Sequence, residues 1–153
     1  MRLVIQRVSR ASVSVEGSVV ASIGRGFLIL CGVHRDDAAA DVEYLAQKTA
    51  RLRVFDDAEG RMNLGPAEVG AEIIVVSQFT LYADCRKGNR PSYIEAAGPA
   101  DGERWYESYV AALRVQGLSV QTGRFRTMMA VELVNDGPVT ILMDSRDRQA
   151  AGA

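Results

Sequence analysis

The sequence predicts an α+β fold, in which one antiparallel or mixed, barrel-like sheet is combined with two main helices. Its 153 residues fit a single domain, since domains commonly run to about 100–200 residues. Alternating apolar and polar side chains in the first third indicate β-strands, and two later segments carry apolar side chains at helical spacing. A hydrophobic fraction of 48% and a charged fraction of 24% are typical of globular proteins rather than disordered ones.

The first third of the chain is predicted to form a β-meander. Gly17-Ser18 is a plausible two-residue turn, and Gly24-Arg25-Gly26 precedes an apolar run that is typical of a central, fully buried strand. Four segments show either alternation of apolar and polar side chains or apolar side chains on both faces. The strands are therefore expected at residues 3–8, 12–16, 19–23 and 27–33.

The first helix is predicted over about residues 38–53, after Asp36-Asp37, whose carboxylates suit the positive end of a helix dipole. Its apolar face consists of Val42, Leu45, Ala46, Thr49 and Leu52. The second helix is predicted to begin after Pro99 with Asp101 as its N-cap, and to end before Gly117. Its buried face is predicted to contain Trp105, Tyr109, Ala112 and Leu113.

The remaining segments complete the sheet. A turn is predicted at Asp56–Gly60, and the polar, small residues Ser145–Ala153 are predicted to fray. Apolar runs predict four further strands, at residues 73–76, 118–121, 130–134 and 139–143.

Charge and composition exclude several classes of protein. The 18 Lys and Arg residues against 19 Asp and Glu give a net charge of −1, which excludes a uniformly basic nucleic-acid coat but allows a local basic patch. No apolar stretch reaches the roughly 18 residues of a membrane span, and the N-terminus has no signal-peptide pattern. Cys31 and Cys85 show neither metal-type spacing nor a disulfide framework. We expect a reduced, cytoplasmic protein without membrane contact.

The usual catalytic groups are scarce. His34 is the only histidine and lies at the exit of the predicted central strand, where a structural role is expected. The sequence contains no nucleophile elbow, phosphate-binding loop or dinucleotide fingerprint. Its carboxylates form no evident metal cluster, so neither a metal nor a cofactor is expected. If the protein is an enzyme, backbone groups or the substrate must supply much of the chemistry.

One candidate site is the segment Val75–Asp84, in which a buried strand ends in hydroxyl and amide side chains. Ser77 and Thr80 are typical of residues that satisfy local backbone groups. Alternatively they form the floor of a pocket, with the ring of Phe79 available for stacking on a base. The loop Arg86–Pro91 that follows is suited to phosphates through Arg86, Lys87 and Arg90, although such loops are often merely solvated.

A second candidate site is the segment Leu133–Thr140. Asn135-Asp136-Gly137 between two strands is a common tight-turn sequence and predicts a hairpin. Pro138 complicates this interpretation, because it removes a backbone donor where the returning strand should begin. Local chemistry gives no reason to expect a cis Gly137–Pro138 bond.

Taken together, Ser77-Gln78-Phe79-Thr80-Leu81 and Asn135-Asp136-Gly137-Pro138-Val139-Thr140 resemble the two signature motifs of the D-aminoacyl-tRNA deacylases. The resemblance implies one deacylase domain over residues 1–145, followed by a polar tail at 146–153 that is predicted to be disordered. Tyr82, Cys85 and Arg126–Met128 are interpreted as permitted variation. The resemblance extends to Ile5–Val8, Ala11–Val13, Asp57–Gly60, Met62-Asn63, Arg90–Ser92 and Gln121–Phe125.

The resemblance implies a hydrolase without a cofactor that cleaves the ester between a D-amino acid and the terminal adenosine of tRNA, a step of chiral proofreading in translation quality control. It also implies a homodimer with active sites at the interface. The Gly137–Pro138 peptide would be cis and would enter the partner subunit's pocket, where its main-chain oxygens hold the α-amino group and leave no room for an L side chain. Glycine mischarged on tRNA should then also be accepted.

The resemblance assigns roles to individual residues. Arg7 and Met129 match positions that help to orient the Gly137–Pro138 motif. Those that match the pocket for the adenosine and the aminoacyl ester are Ser77, Gln78, Phe79, Thr80 and Phe125. A backbone amide near Phe79 is suited to stabilising an oxyanion.

Thr80 has two possible roles. A nucleophilic hydroxyl needs an adjacent base, and the sequence shows none, so positioning is preferred to covalent catalysis. Three rival functions are kept: a non-catalytic RNA-binding module, an interaction protein that uses an exposed sheet edge, and a general esterase. Release of the amino acid from charged tRNA distinguishes them.

Overall fold

The long first strand, β1 (Arg2–Val15), organises the sheet. Along one side, its first half pairs antiparallel with β3 (Gly26–Gly32) and its second half with β2 (Ser18–Ile23). The last strand, β8 (Ala130–Asp144), pairs antiparallel with β1 along the other side. This computed structural model describes residues 1–150.

Two parallel strands make the sheet mixed and curl it towards closure. β6 (Glu72–Ser77) runs parallel to β3, and β7 (Ser119–Thr122) runs parallel to β6. The Gln121 side chain then joins β7 to β2, because it accepts a hydrogen bond from Ser22 N over 2.9 Å and donates one to Ser22 O over 2.8 Å. The predicted α+β class with a barrel-like mixed sheet is confirmed.

Two helices cover one face of this sheet. They are α1 (Ala39–Ala50) and α2 (Pro99–Val115), and their apolar sides share a core with β1, β3 and β6. Thr49 and Tyr109 join the helices through hydroxyls that lie 2.8 Å apart. The Tyr106 hydroxyl donates to Val75 O over 2.8 Å, which fixes α2 against β6. No helix among residues 1–150 is long and apolar enough to cross a membrane.

The smaller elements connect these layers. A short hairpin follows α1, and a 3₁₀ turn follows β6. They are β4 (Phe55–Asp56), β5 (Met62–Leu64), the 3₁₀ turn Phe79–Tyr82 and the terminal helix α3 (Asp147–Ala150). The turn predicted at residues 56–60 is thus the tip of the β4–β5 hairpin.

The second helix differs from the prediction at its start and in its buried face. Its N-cap is Gly98 and not Asp101, and Pro99 occupies the first helical position, where a missing amide hydrogen leaves no bond unmade. Tyr106 is buried whereas Trp105 is only half-buried, with the Arg104 guanidinium 4.4 Å from the centre of its ring. Gly117 follows the helix at φ +83°, as predicted.

The first turn is shifted by one residue from the prediction. Val15 pairs with Ser18, so Glu16 and Gly17 form the two-residue loop. Both residues have positive φ, of 50° and 77°, as a type I′ turn requires.

The predicted hairpin at residues 130–143 is wrong. Both segments pair with β1 and run in the same direction, and the register passes from Val8↔Asn135 to Gln6↔Thr140. The four residues Asp136–Val139 therefore leave the ladder as an excursion within one strand. Pro138, which has no amide hydrogen to donate, lies where no ladder bond is needed.

The frayed tail predicted from residue 145 is corrected for its first residues. Ser145 is buried, and its hydroxyl accepts a hydrogen bond from the Met1 ammonium over 2.7 Å. Arg148, in α3, donates to Ala40 O over 2.8 Å. These bonds hold the segment against the first residues of β1 and of α1. Residues 151–153 lie outside the described residues.

Candidate active site

A cavity of about 720 Å³ lies where β6 ends, between the 3₁₀ turn, the start of α2 and residues 123–131. Its volume is within the ~300–1,000 Å³ of typical ligand pockets. The lining residues are Val76, Ser77, Gln78, Phe79, Tyr93, Ala96, Ala97, Pro99, Phe125, Arg126, Thr127, Met128, Met129 and Val131. The structure thus brings together Ser77, Gln78, Phe79 and Phe125, which the resemblance assigns to one pocket, and it adds Met129 to the same wall.

The close approach of the 3₁₀ turn to β3 depends on Gly32. A Cβ atom at Gly32 would lie 3.0 Å from both Gln78 O and Leu81 Cβ. Gln78 N donates to Cys31 O over 2.8 Å, and the chain then leaves the sheet. As the first residues of the turn, Phe79 and Thr80 have amides without partners inside it. Such amides are donors of the kind that stabilises an oxyanion.

Two aromatic rings form one wall of the cavity. Phe79 is 54% exposed, which is unusual for phenylalanine, and its ring meets the edge of the Tyr93 ring with centroids 5.0 Å apart. An exposed ring held by a second ring is suited to stacking on a nucleobase. Tyr93 is not predicted from the sequence as a site residue. The bridge between Asp84 and Ser92 returns this segment to the turn, and that pairing has no local sequence signal.

Thr80 is not among the residues that line the cavity. Its hydroxyl accepts a hydrogen bond of 2.5 Å from Gln78 Nε2. An amide NH₂ group is a donor and does not act as a base. Within residues 1–150, no histidine, carboxylate or lysine is hydrogen-bonded to the Thr80 hydroxyl. The described residues therefore supply no activating group for a threonine nucleophile.

His34 is buried beside the 3₁₀ turn, and its contacts are those of a structural residue. It is 4% exposed, and its ring packs against that of Tyr82 at 5.1 Å between centroids. Its Nδ1 accepts a hydrogen bond from Asp36 N. Burial, together with the positive charge of Arg146, lowers the pKa of His34. The neutral imidazole is therefore the favoured form.

The excursion Asp136–Val139 is anchored by a buried arginine. Arg7 is 7% exposed and donates through Nε to Asp136 O over 2.8 Å and through Nη1 to Val54 O over 2.7 Å. Gly137 has φ +144°, and the Gly137–Pro138 peptide is cis. A Cβ atom at Gly137 would lie 2.8 Å from Val139 N, so this position requires glycine.

Asn135 closes the base of the excursion. Its Oδ1 accepts from Val139 N over 2.7 Å, and its Nδ2 donates to Val139 O over 3.1 Å and to Thr140 Oγ1 over 3.1 Å. One side chain thus replaces the ladder bonds that the excursion breaks. The sequence predicts Asn135 to be part of a hairpin turn and does not indicate this role.

The two signature motifs do not meet within one chain. Gly137 and Pro138 are exposed and are not among the residues that line the cavity. Arg7 contacts the excursion, whereas Met129 lines the cavity, where its sulfur lies 2.6 Å from the position of a Cβ atom at Gly123. Arg7 and Met129, which are expected to orient the same motif, thus belong to different features of the described chain, the excursion and the cavity wall.

The basic loop lies outside the cavity. Arg86 forms a two-point ion pair with Asp84, at 2.8 and 2.7 Å, and these bonds lower the pKa of Asp84 to about 2. Lys87 and Arg90 are exposed and form no ion pair among residues 1–150. Among the described residues, the charged one in the cavity wall is instead Arg126, which is interpreted from the sequence as permitted variation.

A family model and two curated proteins to which the chain is similar all carry the name of a tRNA deacylase. A family model described as D-Tyr-tRNA(Tyr) deacylase matches residues 4–144. The chain is 59% identical to a D-aminoacyl-tRNA deacylase of Anaeromyxobacter dehalogenans, over 95% of this chain and 98% of that protein. It is 55% identical to the protein of the same name from Thermotoga petrophila, over 95% and 97% of the two chains.

Two solved structures resemble the fold. One, described as a c-Myc DNA unwinding element binding protein, superposes with a TM-score of 0.88 and 38% identity, over 94% of this chain and 98% of that one. The other, described as a probable eukaryotic D-amino acid tRNA deacylase, has a TM-score of 0.78 and 17% identity over the same shares. At that identity the second supports the fold alone.

Proposed function

The chain belongs to the D-Tyr-tRNA(Tyr) deacylase family, and we propose from this membership that it hydrolyses the ester between a D-amino acid and the terminal adenosine of tRNA. The products are the free D-amino acid and tRNA that can be charged again. The observation that carries the proposal is the cavity in which Ser77, Gln78 and Phe79 meet Phe125. Charged tRNA as the substrate favours the cytoplasm as the place of the reaction.

In the proposed complex the adenine stacks against Phe79, whose ring is supported by Tyr93. The ester carbonyl then faces the turn, and the amide of Phe79 or Thr80 donates to the oxygen on which negative charge develops. Water adds to the carbonyl carbon, the bond to the ribose oxygen breaks, and that oxygen takes up a proton. Because the ester is already activated, positioning of water or of the ribose 2′-hydroxyl supplies much of the acceleration.

The chiral filter is proposed to come from a second subunit. Arg7 and Asn135 hold Gly137 and Pro138 in an exposed excursion, away from the cavity of their own chain. In a homodimer, the excursion of one subunit enters the cavity of the other, whose wall contains Met129. The main-chain oxygens of Gly137 and Pro138 then hold the α-amino group. An L side chain is rejected by exclusion rather than by weaker attraction.

Two corollaries follow from this geometry. Glycine has no side chain to exclude, so glycine mischarged on tRNA is a proposed second substrate. Binding of tRNA outside the cavity is assigned to Arg86, Lys87 and Arg90. Lys87 and Arg90 are the stronger candidates, because the guanidinium of Arg86 is held by Asp84.

The test compares release of D-tyrosine, L-tyrosine and glycine from charged tRNA at equal enzyme and salt concentrations. Fast release of D-tyrosine and of glycine, with L-tyrosine left on the tRNA, is the expected result. Equal release of D- and L-tyrosine would keep the hydrolase and contradict the filter. Retention of glycine would contradict only the second substrate.

A second candidate function rests on the relative described as a DNA unwinding element binding protein, which is 38% identical to this chain. It is a nucleic-acid-binding role without hydrolysis, in which Phe79 and the basic loop bind bases and phosphates. Binding of uncharged tRNA or DNA, with no release of any amino acid in the same assay, would favour this function over the first.

A further inference from the structure

The cavity contains one charged side chain. Of the lining residues that the structure describes, Arg126 carries a charge, and the others are apolar, hydroxyl or amide residues. No carboxylate among them offsets that charge. Arg126 is itself exposed, but a cation in a cavity wall without a neighbouring carboxylate creates a positive potential there, and this potential attracts an anion.

Among residues 1–148, whose side chains the structure describes, the Arg126 guanidinium takes part in no hydrogen bond or ion pair. This distinguishes it from Arg86, which Asp84 holds, and from Arg7, which is bound to Asp136 and Val54. An external anion therefore competes with no internal carboxylate for Arg126.

Arg126 has a backbone conformation that is unfavourable for residues other than glycine. Its φ is +58°, a region that residues other than glycine rarely adopt. Glu16 is the other such residue in residues 1–150, and a two-residue hairpin accounts for it. At Arg126, the Thr127 hydroxyl donates to Arg124 O over 2.9 Å and closes the loop. Strained backbone at a cavity wall is a frequent sign of a functional constraint.

We propose that Arg126 binds the phosphate attached to the 5′ oxygen of the terminal adenosine, and so positions the aminoacyl ester in the cavity. This inference rests on the proposed deacylase function. That phosphate is the anion closest to an adenosine stacked on Phe79, because it is bonded to the same ribose. A guanidinium binds phosphate through two parallel hydrogen bonds, which fix orientation as well as distance. Arg126 is accordingly a positioning residue, not a catalytic one.

The test uses two small substrates, D-tyrosine esterified to the ribose of adenosine and D-tyrosine esterified to the ribose of adenosine 5′-monophosphate. They differ only in the phosphate. For the unmodified enzyme we expect kcat/KM to be about tenfold higher with the monophosphate ester, the size of one charge-assisted contact. In Arg126→Gly this ratio should fall towards one, and in Arg126→Lys it should be intermediate.

Arg126→Gly is a suitable variant because glycine adopts φ +58° without strain, so the loop is expected to keep its shape. The matched control is Arg124→Gly, since Arg124 lies in the same exposed loop but does not line the cavity. Its ratio should equal that of the unmodified enzyme. A ratio near one in the unmodified enzyme, or an unchanged ratio in Arg126→Gly, would overturn the inference.

A second measurement covers the case in which small esters are not hydrolysed. With D-tyrosyl-tRNA, the logarithm of kcat/KM should fall less steeply with the logarithm of salt concentration in Arg126→Gly, by about 0.7 for one single-strand phosphate contact. Equal slopes in the two proteins would overturn the inference and leave the deacylase function intact. No hydrolysis of D-tyrosyl-tRNA by the unmodified enzyme would overturn the proposed function, and this inference with it.

Discussion

The hydroxyl of Thr80 distinguishes two mechanisms at the scale of a single residue. It accepts a hydrogen bond from Gln78 Nε2 and has no base beside it in the described residues. We therefore expect Thr80→Val, which keeps the shape of the side chain, to lower kcat by less than about tenfold, whereas removal of a covalent nucleophile costs several orders of magnitude. Release of D-tyrosine from charged tRNA measures the difference.

Thr80→Ser is the control for this prediction, because it keeps the hydroxyl and removes only a methyl group. An acyl-enzyme trapped on Thr80 and detected by mass spectrometry would reverse our preference and establish covalent catalysis. Loss of kcat by a thousandfold or more in Thr80→Val, with Thr80→Ser active, would have the same meaning.

His34 should make the stability of the fold depend on pH. Burial lowers its pKa in the folded state, so as pH falls below about 6.5 the unfolded chain binds a proton first. The free energy of unfolding should therefore be constant just above this pH and decrease below it. Urea unfolding at pH 7.5 and pH 5.5 measures the change. His34→Gln should be nearly insensitive over this interval, and an equal decrease in the variant would contradict the assignment.

Asn135 should stabilise the excursion through its amide. Asn135→Ala removes the acceptor for Val139 N and the donor to Val139 O, and loss of such bonds at a half-buried position costs about 1–2 kcal/mol. Asn135→Asp keeps the acceptor for Val139 N but replaces the donor by an oxygen that faces Val139 O, so it should also destabilise the fold. Chemical unfolding gives both values, and unchanged stability in either variant would contradict this role.

The cavity residues that belong to a sequence motif were predictable. Those that reach the cavity only through contacts with distant parts of the chain were not. Ser77, Gln78, Phe79 and Phe125 were assigned to the pocket from the sequence, and the structure brings them together. Tyr93 and Arg126 were missed, because an aromatic residue after a basic loop and an arginine in a polar loop look like ordinary surface residues. Only the closed tertiary structure places them in the cavity wall.

At the scale of elements, the pairing of β3 with β6 depends on a single hydrogen atom at Gly26. A Cβ atom there would lie 1.7 Å from Glu72 O, and the backbone of β6 cannot move away without breaking its ladder. We expect Gly26→Ala to destabilise the fold by at least about 3 kcal/mol, as overpacking against backbone does. A lowered urea midpoint measures this loss.

Gly24→Ala is the matched control, two residues earlier in the same connection. Nothing lies within 4 Å of a Cβ atom at Gly24, so this substitution should change stability by less than about 0.5 kcal/mol. Equal losses in the two variants would show that chain flexibility, and not the contact with Glu72, determines the effect.

Helices and strands were predictable where a local sequence pattern defines them. The prediction failed where strand pairing depends on a distant partner. The boundaries of β3 and β6 and the end of α2 at Gly117 agree closely with the sequence. The prediction of a hairpin at 130–143 was wrong because Asn-Asp-Gly suits both a turn that reverses the chain and an excursion within one strand. What differs is the partner, since both halves of β8 pair with β1.

At the scale of the whole molecule, one chain has a cavity and an exposed motif that do not meet. Val131, Val134 and Leu142 on β8, and Met128 in the cavity wall, expose apolar surface, which the proposed second subunit would cover. The family resemblance, and not the local pattern of either motif, predicts that the excursion enters the cavity of a second subunit. That question belongs to the assembly and needs an experiment on pairs of subunits.

Complementation between two defective subunits answers it. Phe79→Ala damages the cavity, and Gly137→Ala damages the excursion, because its Cβ atom would lie 2.8 Å from Val139 N at a φ of +144°. Each variant alone should release little D-tyrosine. In a mixed dimer across which the sites are shared, one of the two sites combines an intact cavity with an intact excursion. Random mixing of equal amounts should then restore about a quarter of the unmodified activity.

The control mixes two cavity variants, Phe79→Ala and Phe125→Ala, which share the same defective half. Co-expression with two different tags allows the mixed dimers to be isolated in both cases. If the site is shared across subunits, activity returns in the first mixture and not in the second, because only the first supplies both intact halves to one site. If each chain held a complete site, every mixed dimer would contain only damaged sites, and neither mixture would recover activity.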